Sequence, residues 1–261
     1  MAPRCHREPG ARKRIQAYAA LALAALVAGC SSEAELTHLD PTLSANDLRQ
    51  GKVAVLGVVK FQEPDQVRPP LIDMLEKTFR EERRDVTLIP AGSVRTLLGA
   101  ERNKKILLDY EYQGALDDHA LEEIADSLRG IARYILVARV DRDRTRNSTR
   151  GIALTDTTSS AHVLYAMGVT GRDARVTVQL YDLSRRALAV SARYEGSTES
   201  EHPMLSPMGQ VNFLPKVSPE EQGYPETPEL AMALREPFQT FARTLPGAPQ
   251  PAGAPPAAGK R

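Results

Sequence analysis

Cysteine is scarce in this chain. Of 261 residues only Cys5 and Cys30 carry a thiol, tryptophan is absent and histidine occurs five times. So few thiols rule out a disulfide framework and a cysteine-based zinc cluster. The lack of Trp argues against a sugar-binding cleft lined with stacking rings. A zinc protease needs two His at helical spacing with a Glu between them, and no two histidines here are so placed. The Gly-x-Ser-x-Gly elbow of hydrolases, the phosphate-binding loop of nucleotidases and the Gly-x-Gly-x-x-Gly turn are all missing. The formal charge is +1, so the strong basic balance of a nucleic-acid-binding domain is missing too. No apolar run approaches the roughly 20 residues of a membrane-spanning helix.

The apolar run that does exist is informative because it is short. Ala17 to Ala28 is twelve uncharged residues rich in Ala and Leu, the size of a signal-peptide core. Arg4, Arg7, Arg12, Lys13 and Arg14 precede it, opposed only by Glu8. The run ends at Val27-Ala28-Gly29-Cys30, which resembles the lipobox of bacterial lipoproteins. Small residues at Ala28 and Gly29 admit the backbone to a narrow peptidase site. Cys30 supplies the thiolate that takes up lipid. The resemblance implies cleavage between Gly29 and Cys30, with lipidation of Cys30. Ser31 after the cysteine implies an outer-membrane, periplasm-facing address. Removing residues 1–29 leaves 29 basic and 32 acidic side chains, and Cys30 becomes the only cysteine.

The rest reads as one domain with flanks. Residues 30–51 are expected to be a lipidated tether with at most a short helical turn, although Leu36, Leu39, Leu43 and Leu48 suggest that part of it packs down. Val53 to Val59 is apolar on both faces, as in a strand covered on both sides. Pro69 and Pro70 suit a helix start, and Leu71, Met74, Leu75 and Phe79 follow at helical spacing. Val86 to Ile89 reads as a second strand. Ser93 is placed to cap a short helix through Leu98, whereas Asn103 to Tyr112 is ambiguous. Asp117 or Asp118 caps a clearer helix carrying Leu121, Ile124 and Leu128, followed by a strand from Tyr134 to Val140. Ala161–Thr170, Ala174–Leu183 and Ala187–Glu195 then read as three antiparallel strands. Gly171-Arg172-Asp173 and Ser184-Arg185-Arg186 serve as their turns. The expected fold is α/β: a mixed-sheet sandwich, β-α-β-α-β followed by an antiparallel meander, over residues 52–195. Residues 196–245 should form a long loop and a C-terminal helix kinked at Pro237. Residues 246–261 should be a disordered Pro/Ala-rich tail.

Three stretches carry a family likeness. They are Lys52–Val59, the helix-to-strand run Leu121–Val140, and Val176–Leu183 with Ala187–Ala192. Their order resembles the domain shared by the TolB N-terminal part, the curli secretion lipoprotein and the lipoprotein activators of penicillin-binding proteins. Gly130-Ile131-Ala132-Arg133-Tyr134 approximates that family's turn before a strand, and Val190-Ser191 fits a later strand whose usual Trp is missing here. The resemblance implies a non-enzymatic envelope protein that binds another envelope protein, of a kind that serves cell-wall synthesis or secretion. The alternative it raises is a subunit of an oligomeric outer-membrane secretion channel. The partners expected are the membrane, through lipid on Cys30, and an envelope protein of unknown identity. Nucleic acid, a cofactor, a metal and catalytic residues are not expected.

Two clusters invite chemistry. Asp117-Asp118-His119 reads as a helix cap with acids favoured by the helix dipole. His162 falls inside a strand pattern. Arg139, Arg142, Arg144, Arg146 and Arg150, with Asp141 and Asp143, read as a solvated loop or hairpin arm, or as a docking surface for an acidic partner or lipid head groups. The link from Arg142 to Ser160 is long for a hairpin.

Overall fold

A computed structural model describes residues 34–61, 68–155, 162–204 and 223–248. The expected signal peptide with Gly29 and Cys30 lies outside the described residues, as does the chain from 249 onward. In chain order the elements are β1 (Ala34–Leu39), α1 (Ala45–Gly51), β2 (Val53–Lys60), α2 (Arg68–Glu82) and β3 (Leu88–Ile89). Next come α3 (Ala91–Leu98), α4 (Ala100–Gln113), α5 (Asp118–Ser127), β4 (Tyr134–Thr155), β5 (His162–Asp182), β6 (Ala187–Met204) and α6 (Leu230–Thr244).

The strands form one mixed sheet in the order β1-β6-β5-β4-β2-β3. β2 lies parallel to β3 and β4, and every other neighbour is antiparallel. The α/β mixed-sheet fold is therefore present, with helices on both faces. One core holds Val53, Val55 and Val58 of β2 against Leu71, Leu75 and Phe79 of α2 and Leu234, Phe238 and Phe241 of α6. The other holds Ala54, Leu56 and Val59 against Leu107 and Tyr110 of α4 and Leu121 and Ile124 of α5. A bulge between Val55 and Gly57 explains why Val58 shares a face with Val55, since one extra residue inverts the strand's alternation.

Local chemistry explains most helix boundaries. Ser44 and Asp47 form a reciprocal capping box that starts α1, which ties up two otherwise unpaired amides. Asp117 caps α5 by accepting from the Ala120 amide at 2.7 Å. α3 begins at Ala91, two residues before Ser93. Its first amide donates to the buried Glu76 carboxylate of α2 at 2.7 Å, so the cap comes from another helix and not from Ser93. The ambiguous Asn103–Tyr112 stretch is helical within α4. The α6 helix runs through Pro237, which is itself buried.

Four expectations need correction. Residues 34–51 are not a tether, because they supply edge strand β1 and helix α1, with Leu43 and Leu48 in the core. Gly171-Arg172-Asp173 is not a turn, because β5 runs unbroken through it. The stretch from Arg142 is the hairpin arm that the sequence allowed and not a loop, because β4 continues to Thr155. Residues 196–204 are likewise strand, not loop, and belong to β6. In β4, β5 and β6 pairing with a neighbouring strand overrides a locally polar sequence that carries no apolar alternation. Pro246 to Ala248 also pack down. The Pro246 carbonyl accepts from Arg83 at 3.1 Å, and Gly247 approaches Ala45 so closely that a Cβ there would lie 2.3 Å from it.

Candidate interaction surface

The feature that separates this chain from a plain sandwich is an arm. β4 pairs with β2 only as far as Val140, and β6 pairs with β1 only as far as Tyr194. Beyond those points β4, β5 and β6 continue together, in register to Thr155, His162 and Met204. At roughly 3.4 Å per residue, the ten residues from Glu195 to Met204 carry β6 about 34 Å past its last pair with β1.

The root of the arm is packed on one face. Asp143 accepts from Lys60 at 2.7 Å and from Arg172 at 2.6 Å. Arg172 also donates to the Pro228 carbonyl at 3.0 Å, and the Thr170 hydroxyl to the Pro225 carbonyl at 2.7 Å. The segment leading into α6 thus covers this side. Burial pushes the Asp143 carboxyl pKa up, but the two cations outweigh it and hold the value below the ordinary range. Gly196 lets α6 close onto the arm root. A Cβ there would sit 2.0 Å from the Ala233 carbonyl oxygen.

The opposite face is open and ionic. β4 contributes arginines and β6 contributes glutamates, and they reach each other across β5. Arg142 meets Glu195 at 3.0 Å, Arg146 meets Glu199 at 2.7 Å and Arg150 meets Glu201 at 2.8 Å. Arg146 also contacts Asp173 of β5 at 3.1 Å, and Arg175 of β5 binds Glu195 at 2.7 Å. The Arg175 guanidinium, first, and then Arg142 hold the Glu195 carboxyl below its usual range. Gly171 makes one of these crossings feasible, since a Cβ there would lie 2.9 Å from Arg146 Nε. Three of the arginines read from the sequence as a basic docking surface, Arg142, Arg146 and Arg150, are therefore matched by acids that sequence distance hid, whereas Arg139 pairs with its near neighbour Asp141 at 2.8 Å. Arg142 and Glu195 are 53 residues apart, as are Arg146 and Glu199. These side chains are about a third to three-fifths exposed. Pairs of that kind typically contribute no more than about 1 kcal/mol each.

A second electrostatic cluster ties the N-terminal segment to the sheet. Asp182, at the end of β5, has no exposed side-chain surface. It accepts from Arg133 at 2.9 and 3.1 Å, from Arg185 at 3.0 Å and from the Ser184 amide at 2.9 Å. Arg133 also binds Asp47 of α1 at 2.9 Å, and Arg185 binds Asp40 at 2.6 Å. Burial alone would raise the Asp182 carboxyl pKa, but these donors lower it to about 2. The two guanidiniums thereby fasten β1 and α1 to the sheet.

The remaining sequence candidates are dispersed. His119 is largely exposed on α5 and lies 3.7 Å from Glu123. His38 on β1 contacts the Leu188 carbonyl. His162 starts β5 opposite Thr155. Among the described residues no three metal-type ligands converge, and no helix is long and apolar enough to cross a membrane.

No protein-family model matches the chain, and no curated protein matches its sequence. Solved structures are similar to it at low identity. The PelC dodecamer from Paraburkholderia phytofirmans is 18% identical over 64% of this chain and 83% of that one, with a TM-score of 0.31. The hypothetical protein CT253 from Chlamydia trachomatis is 12% identical over 73% and 92%, with a TM-score of 0.31. The lipoprotein GNA1162 from Neisseria meningitidis is 11% identical over 62% and 88%, with a TM-score of 0.26.

Proposed function

We propose that this chain is an envelope lipoprotein, cut between Gly29 and Cys30, lipidated on Cys30 and facing the periplasm from the outer membrane. In this reading it acts without chemistry of its own, as an accessory module that docks on a cell-wall synthesis or secretion complex. The observation that carries the docking role is the open face of the arm. An ordered row of Arg and Glu side chains there adds little to stability and so is better explained as a surface for recognition. Alternating charges set the register of a partner and reject wrong ones more than they add affinity.

A photo-crosslinking residue in place of Ser148, between Arg146 and Arg150, tests this in intact envelopes. One discrete envelope protein should be captured there and not from Leu97 on α3. No adduct from the arm, or the same adducts from both positions, would overturn the docking role.

The length of the arm favours a second reading, a channel subunit. Its strands exceed the roughly 9–11 residues that cross a bilayer. Open strand edges cannot sit in hydrocarbon, so this reading requires copies that close a ring. Light scattering of the detergent-solubilised lipoprotein decides it, since a monomer excludes the channel.

A further inference from the structure

One edge of the sheet, β1, is uncovered among the described residues. All six residues of β1 are exposed, and its outer side makes no strand pair among the described residues. Leu36 and Leu39 are 45% and 41% exposed there. In a regular strand residues three apart point to opposite faces. A bulge at Thr37 instead places Leu36 opposite Ala192 and Leu39 opposite Val190. Ala192 and Val190 both belong to the core under α6. The two leucines therefore line the same side of the edge.

The position of β1 in the chain says what lies beside it. Ala34 comes four residues after Cys30. Even fully extended, four residues span no more than about 14 Å. Given the lipidation of Cys30 on which this inference rests, the bilayer surface passes within that distance of Ala34. The direction is informative as well. β1 runs antiparallel to β6, with Ala34 opposite Tyr194 and Leu39 opposite Val190. The chain thus enters β1 from the side toward which β6 leaves for the arm. An arm of about 34 Å that starts level with a 14 Å leash has nowhere to go but along the membrane or into it. Among the described residues the arm's two edges make no further strand pair, and free backbone groups there forbid a lone copy from entering hydrocarbon. They are satisfied at the headgroup level, where water and phosphate oxygens are available.

We infer that the domain lies on its own bilayer by the sheet edge formed by β1 and distal β6. Leu36 and Leu39 then sit in the interfacial zone, and the arm runs along the surface with its ionic face reachable from the side. The occupant of the exposed edge is the lipid surface that holds Cys30. The ionic face contributes no net basic patch, so the contact follows from the short leash and two leucines and does not need anionic lipid.

The test uses the full lipidated protein in phosphatidylcholine vesicles containing a nitroxide-headgroup lipid. Leu36→Cys, Leu39→Cys and Leu97→Cys each carry a polarity-sensitive fluorophore. Leu97 is a matched control. It is 44% exposed and lies on α3, directly after β3 at the opposite edge of a six-strand sheet, about 24 Å across. Probes at 36 and 39 should shift to the blue and be quenched, and the probe at 97 should show neither. Insertion of a long Gly/Ser segment between Glu33 and Ala34 should reverse both effects at 36 and 39. Aqueous emission at all three positions, or equal quenching at all three, overturns the inference if intact mass shows lipid on Cys30. An unlipidated Cys30 instead removes the anchoring itself, and this inference with it.

Discussion

Replacing Asp182 with Asn probes how firmly the N-terminal segment is fixed to the sheet. The Asp182 carboxyl has a pKa of about 2 against an ordinary value of 3.8. At about 1.36 kcal/mol per pH unit, that difference contributes about 2 kcal/mol of folding stability at neutral pH. The contribution is fully present above pH 4, because the unfolded carboxyl is then ionised as well. It is lost as pH falls from about 4 through about 2, where the folded carboxyl takes up its proton. The variant also leaves Arg133 and Arg185 facing a neutral amide. Both are about a third exposed, so water compensates part of that loss and the total cost is about 2–3 kcal/mol. Urea denaturation of wild type and Asp182→Asn from pH 7 to pH 2 measures both effects. The gap between the two proteins should be widest at pH 7 and should close below pH 4. A gap that stays constant with pH, or no gap at pH 7, would refute the assignment of Asp182 as the anionic centre of this clasp.

Three further substitutions test other contacts. Gly196→Ala should cost about 3 kcal/mol in the same assay, because the new methyl meets the Ala233 carbonyl oxygen at 2.0 Å and overpacking must be relieved by moving α6; a change under 1 kcal/mol would show that α6 is not seated on the arm root. Arg83 is fully buried and donates to Asp85 and the Pro246 carbonyl, so Arg83→Met should cost about 3 kcal/mol and speed proteolytic cutting after α6; unchanged proteolysis would contradict the packing of Pro246. Gly171→Leu should cost no more than about 1 kcal/mol, since the Arg146–Glu199 pair that it displaces is exposed, yet it should abolish crosslinking from Ser148. Retained crosslinking would separate the Arg146 position from recognition.

The parts of this fold that were legible in sequence are those whose pattern is local. β2 announces itself by apolar residues on both faces, α2 by Leu71, Leu75 and Phe79, and α6 by Leu230, Leu234, Phe238 and Phe241. A hairpin arm was one of two readings of Arg139–Arg150, and its extent was hidden because both its faces are polar near the root, so β4 shows no apolar alternation from Asp141 to Arg150. Gly171 read as a turn residue, yet its role is to let Arg146 pass over β5. β1 was hidden by its bulge, which breaks the period of two that would have marked Leu36 and Leu39. The cap of α3 comes from Glu76, fifteen residues earlier, and no local motif signals that. The matching of β4 arginines to β6 glutamates depends on strand register and could not be read from the basic stretch alone.

The proposed membrane anchoring depends on the Cys30 thiol. Intact and peptide mass spectrometry of the native protein, extracted in detergent, examines it directly. The account predicts a mature N-terminus at Cys30 bearing a diacylglyceryl thioether. A chain that retains residues 1–29, or one that begins at another residue or at a bare cysteine, would contradict it.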